Sequence, residues 1–201
     1  MALVAIGVQG NIENIGLEKL GIEVDKGAIV VNDFYQTKVP HIYAIGDVIG
    51  APWLAHVASH EGIIAVDYLS GADTHPLDYG AVPGCTYCQP QVASIGLTEA
   101  QAKEKGFELK IGRFPFRASG KARAIAETDG LVKLIFDAKY GELLGAHIMG
   151  SEATEMIAEL GIAKALETTV YELQHTMHAH PTLSEAVMEA AGDANGEAIH
   201  I

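Results

Sequence analysis

Residues 178–187 read HAHPTLSEAV. A histidine and a carboxylate placed as His180 and Glu185 are can work as a general base and the group that orients it. Imidazole exchanges its proton near neutral pH, and a carboxylate on one ring nitrogen decides which nitrogen keeps the free lone pair. Such a pair activates thiol or hydroxyl nucleophiles. The same letters carry another meaning. Thr182-Leu-Ser-Glu185 is a capping box, in which Glu185 reaches back to the N–H of Thr182 while Pro181 sets the approach to a helix. Spacing leaves both readings open, since one carboxylate has an oxygen for each.

Other groups invite chemistry less strongly. TKVPHIYAIGD predicts a strand over 41–47 that stops at Asp47. A carboxylate at a strand's carboxyl edge lies where open sheets gather ligands and can accept hydrogen bonds from sugar or ribityl hydroxyls. A turn acid capping the next segment fits the bare Gly-Asp equally well. Cys85 and Cys88 are the only cysteines, too few for a structural zinc site. In a strand, positions three apart face opposite ways, so both read as plain thiols. His178 and His180 could share a metal, but no third ligand lies near them in sequence, and no metal is expected. His56, His60, His75, His147 and His175 are scattered and read as surface or core histidines.

The elements that must hold these groups fall into two compositional halves. In the first, apolar runs predict strands at 3–6, 27–31 and 41–47, and a helix over 53–71 ends at a capping Gly71. Breaker residues over 72–84 mark a boundary. Beyond it come one or two short strands over 85–98 and a helix over 98–106 capped by Thr98 and Gln101. A strand over 107–116 follows, then a hairpin turning through DAKYGE. A helix over 151–167 carries an apolar stripe through Met156, Ile157, Leu160, Ala163 and Leu166. Two helices, near 170–175 and 183–191, complete the chain. Strands grouped with helices rather than alternating with them indicate an α+β second half.

Bulk properties narrow the function. The 201 residues carry 13 basic and 26 acidic side chains, a net charge of −13. Nucleic acid and anionic membranes are poor partners for such a surface. No apolar run reaches the roughly 18 residues of a membrane span, no targeting segment is visible, and two cysteines make no secreted disulfide framework. A cytoplasmic location is expected.

TKVPHIYAIGD, WLAHVASHEG, CQPQVASIGLTEAQAKEKG, LLGAHIMG and HAHPTLSEA follow one another in this chain. In that order they resemble the carboxyl-terminal part of the dihydrolipoamide dehydrogenases, flavin disulfide oxidoreductases. HAHPTLSEA is the most specific of them, and the resemblance covers nearly the whole chain. It implies a remnant of the nicotinamide and α/β flavin-binding region over 1–75, and over 76–201 an α+β dimerisation (interface) domain with an antiparallel sheet and helices. It implies His180 as active-site base and Glu185 as its orienting carboxylate, serving the disulfide of the other subunit. Asp47 resembles the aspartate that binds the ribityl chain, and Trp53, Leu54, Ala55 and His56 the segment beside the flavin ring. Gly7 resembles a glycine near the nicotinamide cofactor. The parent enzyme would oxidise dihydrolipoamide through a redox disulfide and FAD to NAD, as a homodimer serving the lipoyl domains of 2-oxo acid dehydrogenase complexes. The chain departs from the pattern: it has no G-x-G-x-x-G fingerprint and no C-x-x-x-x-C pair. It is therefore expected to be a fragment that binds no cofactor and is inactive alone. A free-standing non-catalytic dimerisation module, and a fragment of another flavin disulfide reductase, are the alternatives.

Overall fold

The computed structural model describes all 201 residues. The chain divides after Asp78 into two compact units, Met1–Asp78 and Tyr79–Ile201.

The first unit has little regular structure besides one long helix. A short helix α1 (Leu17–Leu20) precedes a two-residue ladder, β1 (Val24–Asp25) against β2 (Ala28–Ile29). Ile12, Leu17, Ile22, Ile29 and Ala44 form its small core. Helix α2 (Ala55–Ser70) ends at Gly71, whose left-handed backbone (φ 74°) stops the helix as the sequence predicts. Two expected strands do not form. Residues 3–6 pair with no strand of this chain, and Leu3, Val4 and Ile6 are exposed. Over 41–47 a single bridge, Gln36 to Tyr43, replaces the strand, and Gly46–Ile49 winds into a 3-10 turn. An apolar run without a hydrogen-bonding neighbour has nothing to satisfy its backbone as a strand. The run at 27–31 pairs only over the two residues of β2.

The second unit is an antiparallel five-stranded sheet in the order β3-β4-β7-β6-β5. Its strands are β3 (Gly84–Thr86), β4 (Gln91–Gly96), β5 (Leu109–Pro115), β6 (Leu131–Asp137) and β7 (Leu143–Gly150). Alternation in β6 explains the layering. Val132, Leu134 and Phe136 join a single large core with helices α5 (Ala153–Ala165) and α7 (Glu185–Ala194). Ile135, on the opposite face, packs with Leu144 and with Ala102 of α3 (Glu99–Glu104). The short helices α4 (Gly120–Ala124) and α6 (Val170–His175) complete the unit. Thr98 and Gln101 form the expected capping box on α3. Thr169 and Glu172 form a second one on α6. The stripe of α5 buries Met156, Ile157, Leu160 and Ala163, whereas Leu166, just past the last turn, is exposed. No helix is long and apolar enough to cross a membrane.

Candidate active site

Helix α7 seats the candidate pair. Its buried face, Ala186, Val187, Ala190 and Ala191, lies in the main core, where it packs against β5 and β6. Gly112 of β5 permits the approach: a Cβ there would stand 1.7 Å from the Ala190 carbonyl oxygen. The helix begins at Glu185, two residues later than a Thr182 cap would place it, with Ser184 at its boundary giving no side-chain cap. The reason is a tighter first turn, in which Ala186 N–H donates to the Leu183 carbonyl and Val187 N–H to that of Ser184.

The carboxylate of Glu185 divides its oxygens. Oε1 lies 2.9 Å from Nδ1 of His180, and Oε2 accepts the N–H of Thr182 at 2.8 Å. Both sequence readings thus describe the same side chain, although the Thr182 hydroxyl turns away to the Ala179 carbonyl. Burial pushes the Glu185 carboxyl up, but the Thr182 N–H and His180 outweigh it, and the group stays below the ordinary carboxylate range. An acceptor at Nδ1 places the proton there and leaves Nε2 as the lone-pair nitrogen of the neutral ring. Nε2 has no partner within the chain, and the side chain is 77% exposed. The His180–Pro181 peptide is cis.

A cavity of about 410 Å³ opens beside this pair, lined by Phe114, Arg123, His180, Glu185, Met188 and His200 among others. One wall is tied down by a residue that sequence reading passed over. Glu189, 4% exposed, accepts the N–H groups of Ile199 and His200 on one oxygen and His200 Nδ1 on the other. Its position four residues after Glu185, on the apolar side of the helix, was the available signal. His178 does not join His180. Its Nε2 lies 2.7 Å from Glu159 Oε1 on α5 and its Nδ1 2.9 Å from the Thr176 carbonyl.

The remaining candidates, the two cysteines apart, lie in the first unit. Asp47 is exposed in the first turn of the 3-10 segment, not at a strand end. Gly46 before it has φ 71°, and its N–H donates at 2.6 Å to Glu61, a carboxylate of α2 that is 2% exposed. Glu61 therefore fixes the turn that presents Asp47, and nothing in its spacing announced this. Trp53 and Leu54 lead into α2, whose first turn includes Ala55 and His56 and has no side-chain cap. Gly7 lies in the irregular stretch, with open space where a Cβ would be. Cys85 is half-buried in β3, with burial pushing its thiol up, and Cys88 sits in the following turn.

Comparison with known proteins bears on this arrangement. Residues 82–191 match the pyridine nucleotide-disulphide oxidoreductase dimerisation domain, and residues 1–62 match the pyridine nucleotide-disulphide oxidoreductase family. The chain is 56% identical to a dihydrolipoyl dehydrogenase of Rhizobium etli over 98% of its own length and 41% of that protein. To the Bacillus subtilis dihydrolipoyl dehydrogenase it is 55% identical, over 98% of this chain and 42% of that one. Among solved structures it is similar to LpdA from Mycobacterium tuberculosis, with a TM-score of 0.86 at 28% identity over 91% of this chain and 40% of that one. The HOCl-induced flavoprotein disulfide reductase RclA from Escherichia coli gives 0.88 at 28% identity, over 94% and 44%. The chain spans about two-fifths of the length of the relatives it matches.

Proposed function

Because the chain belongs to the pyridine nucleotide-disulphide oxidoreductase family, we propose that it supplies the acid-base half of a dihydrolipoamide dehydrogenase. The reading rests on one observation: Nδ1 of His180 is held by Glu185 while Nε2 stands unpartnered beside a cavity. Dihydrolipoamide must lose a thiol proton before it attacks a disulfide, since the thiolate is the nucleophile. His180 Nε2 takes that proton. Glu185 holds the ring in the required tautomer and stabilises the imidazolium that results. The disulfide that is reduced as dihydrolipoamide becomes lipoamide lies outside these residues, in the other subunit of a homodimer. Tyr79–Ile201 would be the interface domain of that homodimer. Lipoyl domains of 2-oxo acid dehydrogenase complexes, in the cytoplasm, are the proposed carriers of the substrate.

FAD, when bound, supplies the two-electron acceptor that passes reducing equivalents on to NAD. The donor set of the first unit fits part of it. The exposed Asp47 carboxylate can accept ribityl hydroxyls, and Trp53, Leu54, Ala55 and His56 at the start of α2 would lie beside the ring. The glycine loop that carries much of a dinucleotide's affinity is not among these residues. The 201-residue chain by itself is accordingly read as a dimerisation module without turnover, and its purified form should show no flavin absorbance.

The test is His180→Gln in a full-length enzyme with this chain as its carboxyl-terminal part. A positioned base is worth roughly 10²- to 10⁴-fold, or about 3–5 kcal/mol of barrier. Dihydrolipoamide oxidation should fall by that much with flavin content unchanged. Turnover at the parent rate would refute the assignment.

A further inference from the structure

His178 is placed like a structural residue but satisfied like a cation. Its side chain is 6% exposed. Both ring nitrogens face acceptors: Nε2 the Glu159 carboxylate at 2.7 Å and Nδ1 the Thr176 carbonyl at 2.9 Å. A neutral imidazole has one N–H, so either tautomer would set a lone pair against an acceptor. Only the imidazolium satisfies both contacts. Glu159 is itself about one-third exposed.

The neighbouring backbone is pinned from both ends. On one side, the Thr176 hydroxyl donates to the Glu172 carbonyl of α6. On the other, Thr182 donates its hydroxyl to the Ala179 carbonyl and its N–H to Glu185. His180 stands at the middle of this turn. Without the His178 anchor, the turn would lose its tie to α5. We propose that His178 is a positioning residue for the His180–Glu185 pair: clamped as an imidazolium between Glu159 and Thr176, it anchors the turn that presents His180 and sets a fixed positive charge beside Glu185. The inference rests on the reading of His180 as the base.

The charged groups facing His178 are Glu159 from α5 and Glu185 from the start of α7. The Glu159 hydrogen bond raises its proton affinity, burial opposes, and Glu185 adds to the rise. The reciprocal effect of His178 on Glu185 is to lower the latter.

Isotope-labelled NMR of the 201-residue chain tests this without cofactor or substrate. At pH 7 both His178 nitrogens should show the shifts of protonated imidazolium. His178→Gln should raise the titration midpoint of the Glu185 carboxyl by roughly 0.3–1 pH unit, the size of one charge several ångströms away near a surface. Glu159→Gln keeps an acceptor but removes the charge, so the titration midpoint of His178 should fall; it serves as the second variant should His178→Gln fail to fold. A neutral His178 in the unaltered chain at pH 7, or a Glu185 midpoint indifferent to His178→Gln, overturns the proposal, because packing alone would move neither signal. In the full-length enzyme Glu159→Gln should lower kcat about tenfold through misplacement of the base, with KM unchanged. Normal turnover in Glu159→Gln with His180→Gln crippled sinks this inference alone. Normal turnover in His180→Gln sinks the functional reading instead.

Discussion

Replacing Glu185 by glutamine keeps an acceptor for the Thr182 N–H but removes the charge that steadies His180 when its ring is protonated. Glu185→Gln should therefore stay within about 0.5 kcal/mol of the parent in urea unfolding, and slow dihydrolipoamide oxidation less than His180→Gln does. Glu185→Ala loses the backbone bond as well and should cost about 1 kcal/mol of stability, as lost caps do. Equal stability of the two variants would show that the Thr182 contact contributes nothing. His178 gives a pH dependence of definite sign. Its folded proton affinity is raised, so it stabilises the fold fully below its unfolded value of about 6.5. That stabilisation is lost as the pH climbs through the higher folded value. The difference in urea midpoint between the parent and His178→Gln should be largest at about pH 6 and shrink as the pH rises above it.

At the scale of elements, the closest approach in the second unit is β5 against α7. Gly112→Ala would force its Cβ into the Ala190 carbonyl, with Ala194 N only 2.9 Å away. Backbone cannot yield as a side chain tip can, so we expect a loss at or above the upper end of the ~1–3 kcal/mol typical of overpacking, seen as a lower urea midpoint. Since α7 carries Glu185, a variant that survives by shifting the helix should also lengthen the contact with His180. Most of these elements were legible beforehand. The alternation in LVKLIFD, the stripe of α5 and the Thr98–Gln101 box are local patterns that tertiary structure merely completes. The strands expected at 3–6 and 41–47 were not legible, because a strand is a property of a pair and the sequence displays one member at a time. Asp47 and the His180–Glu185 contact could be picked out as letters. Glu61 could not, and Glu189 only by its place four residues after Glu185, since their importance comes from backbone N–H groups brought in from 15 and 10 or 11 residues away.

At the scale of the whole molecule, the second unit leaves apolar side chains in water. Ile162 is 66% exposed, Tyr171 62% and Met177 95%. Together with the match to a dimerisation domain, this leads us to expect a two-fold dimer. Sedimentation equilibrium at micromolar concentration should show it, and Ile162→Glu should shift the population toward monomer. Monomer alone in the parent chain would exclude the expectation. The first unit complicates the readout with its own exposed Leu3, Ile6, Ile63 and Val66, so the Ile162→Glu comparison is the decisive arm.

The two oxygens of Glu185 have a consequence for how the chain tolerates change. One holds the base and the other holds the backbone, so a single codon answers to two selections. A library screened only for protein abundance should already disfavour every residue but glutamate and glutamine at 185, while leaving position 180 permissive. The same library screened for turnover should add the restriction at 180. A lineage that lost the reaction but kept the fold would then be recognisable by a free position 180 beside an unchanged position 185.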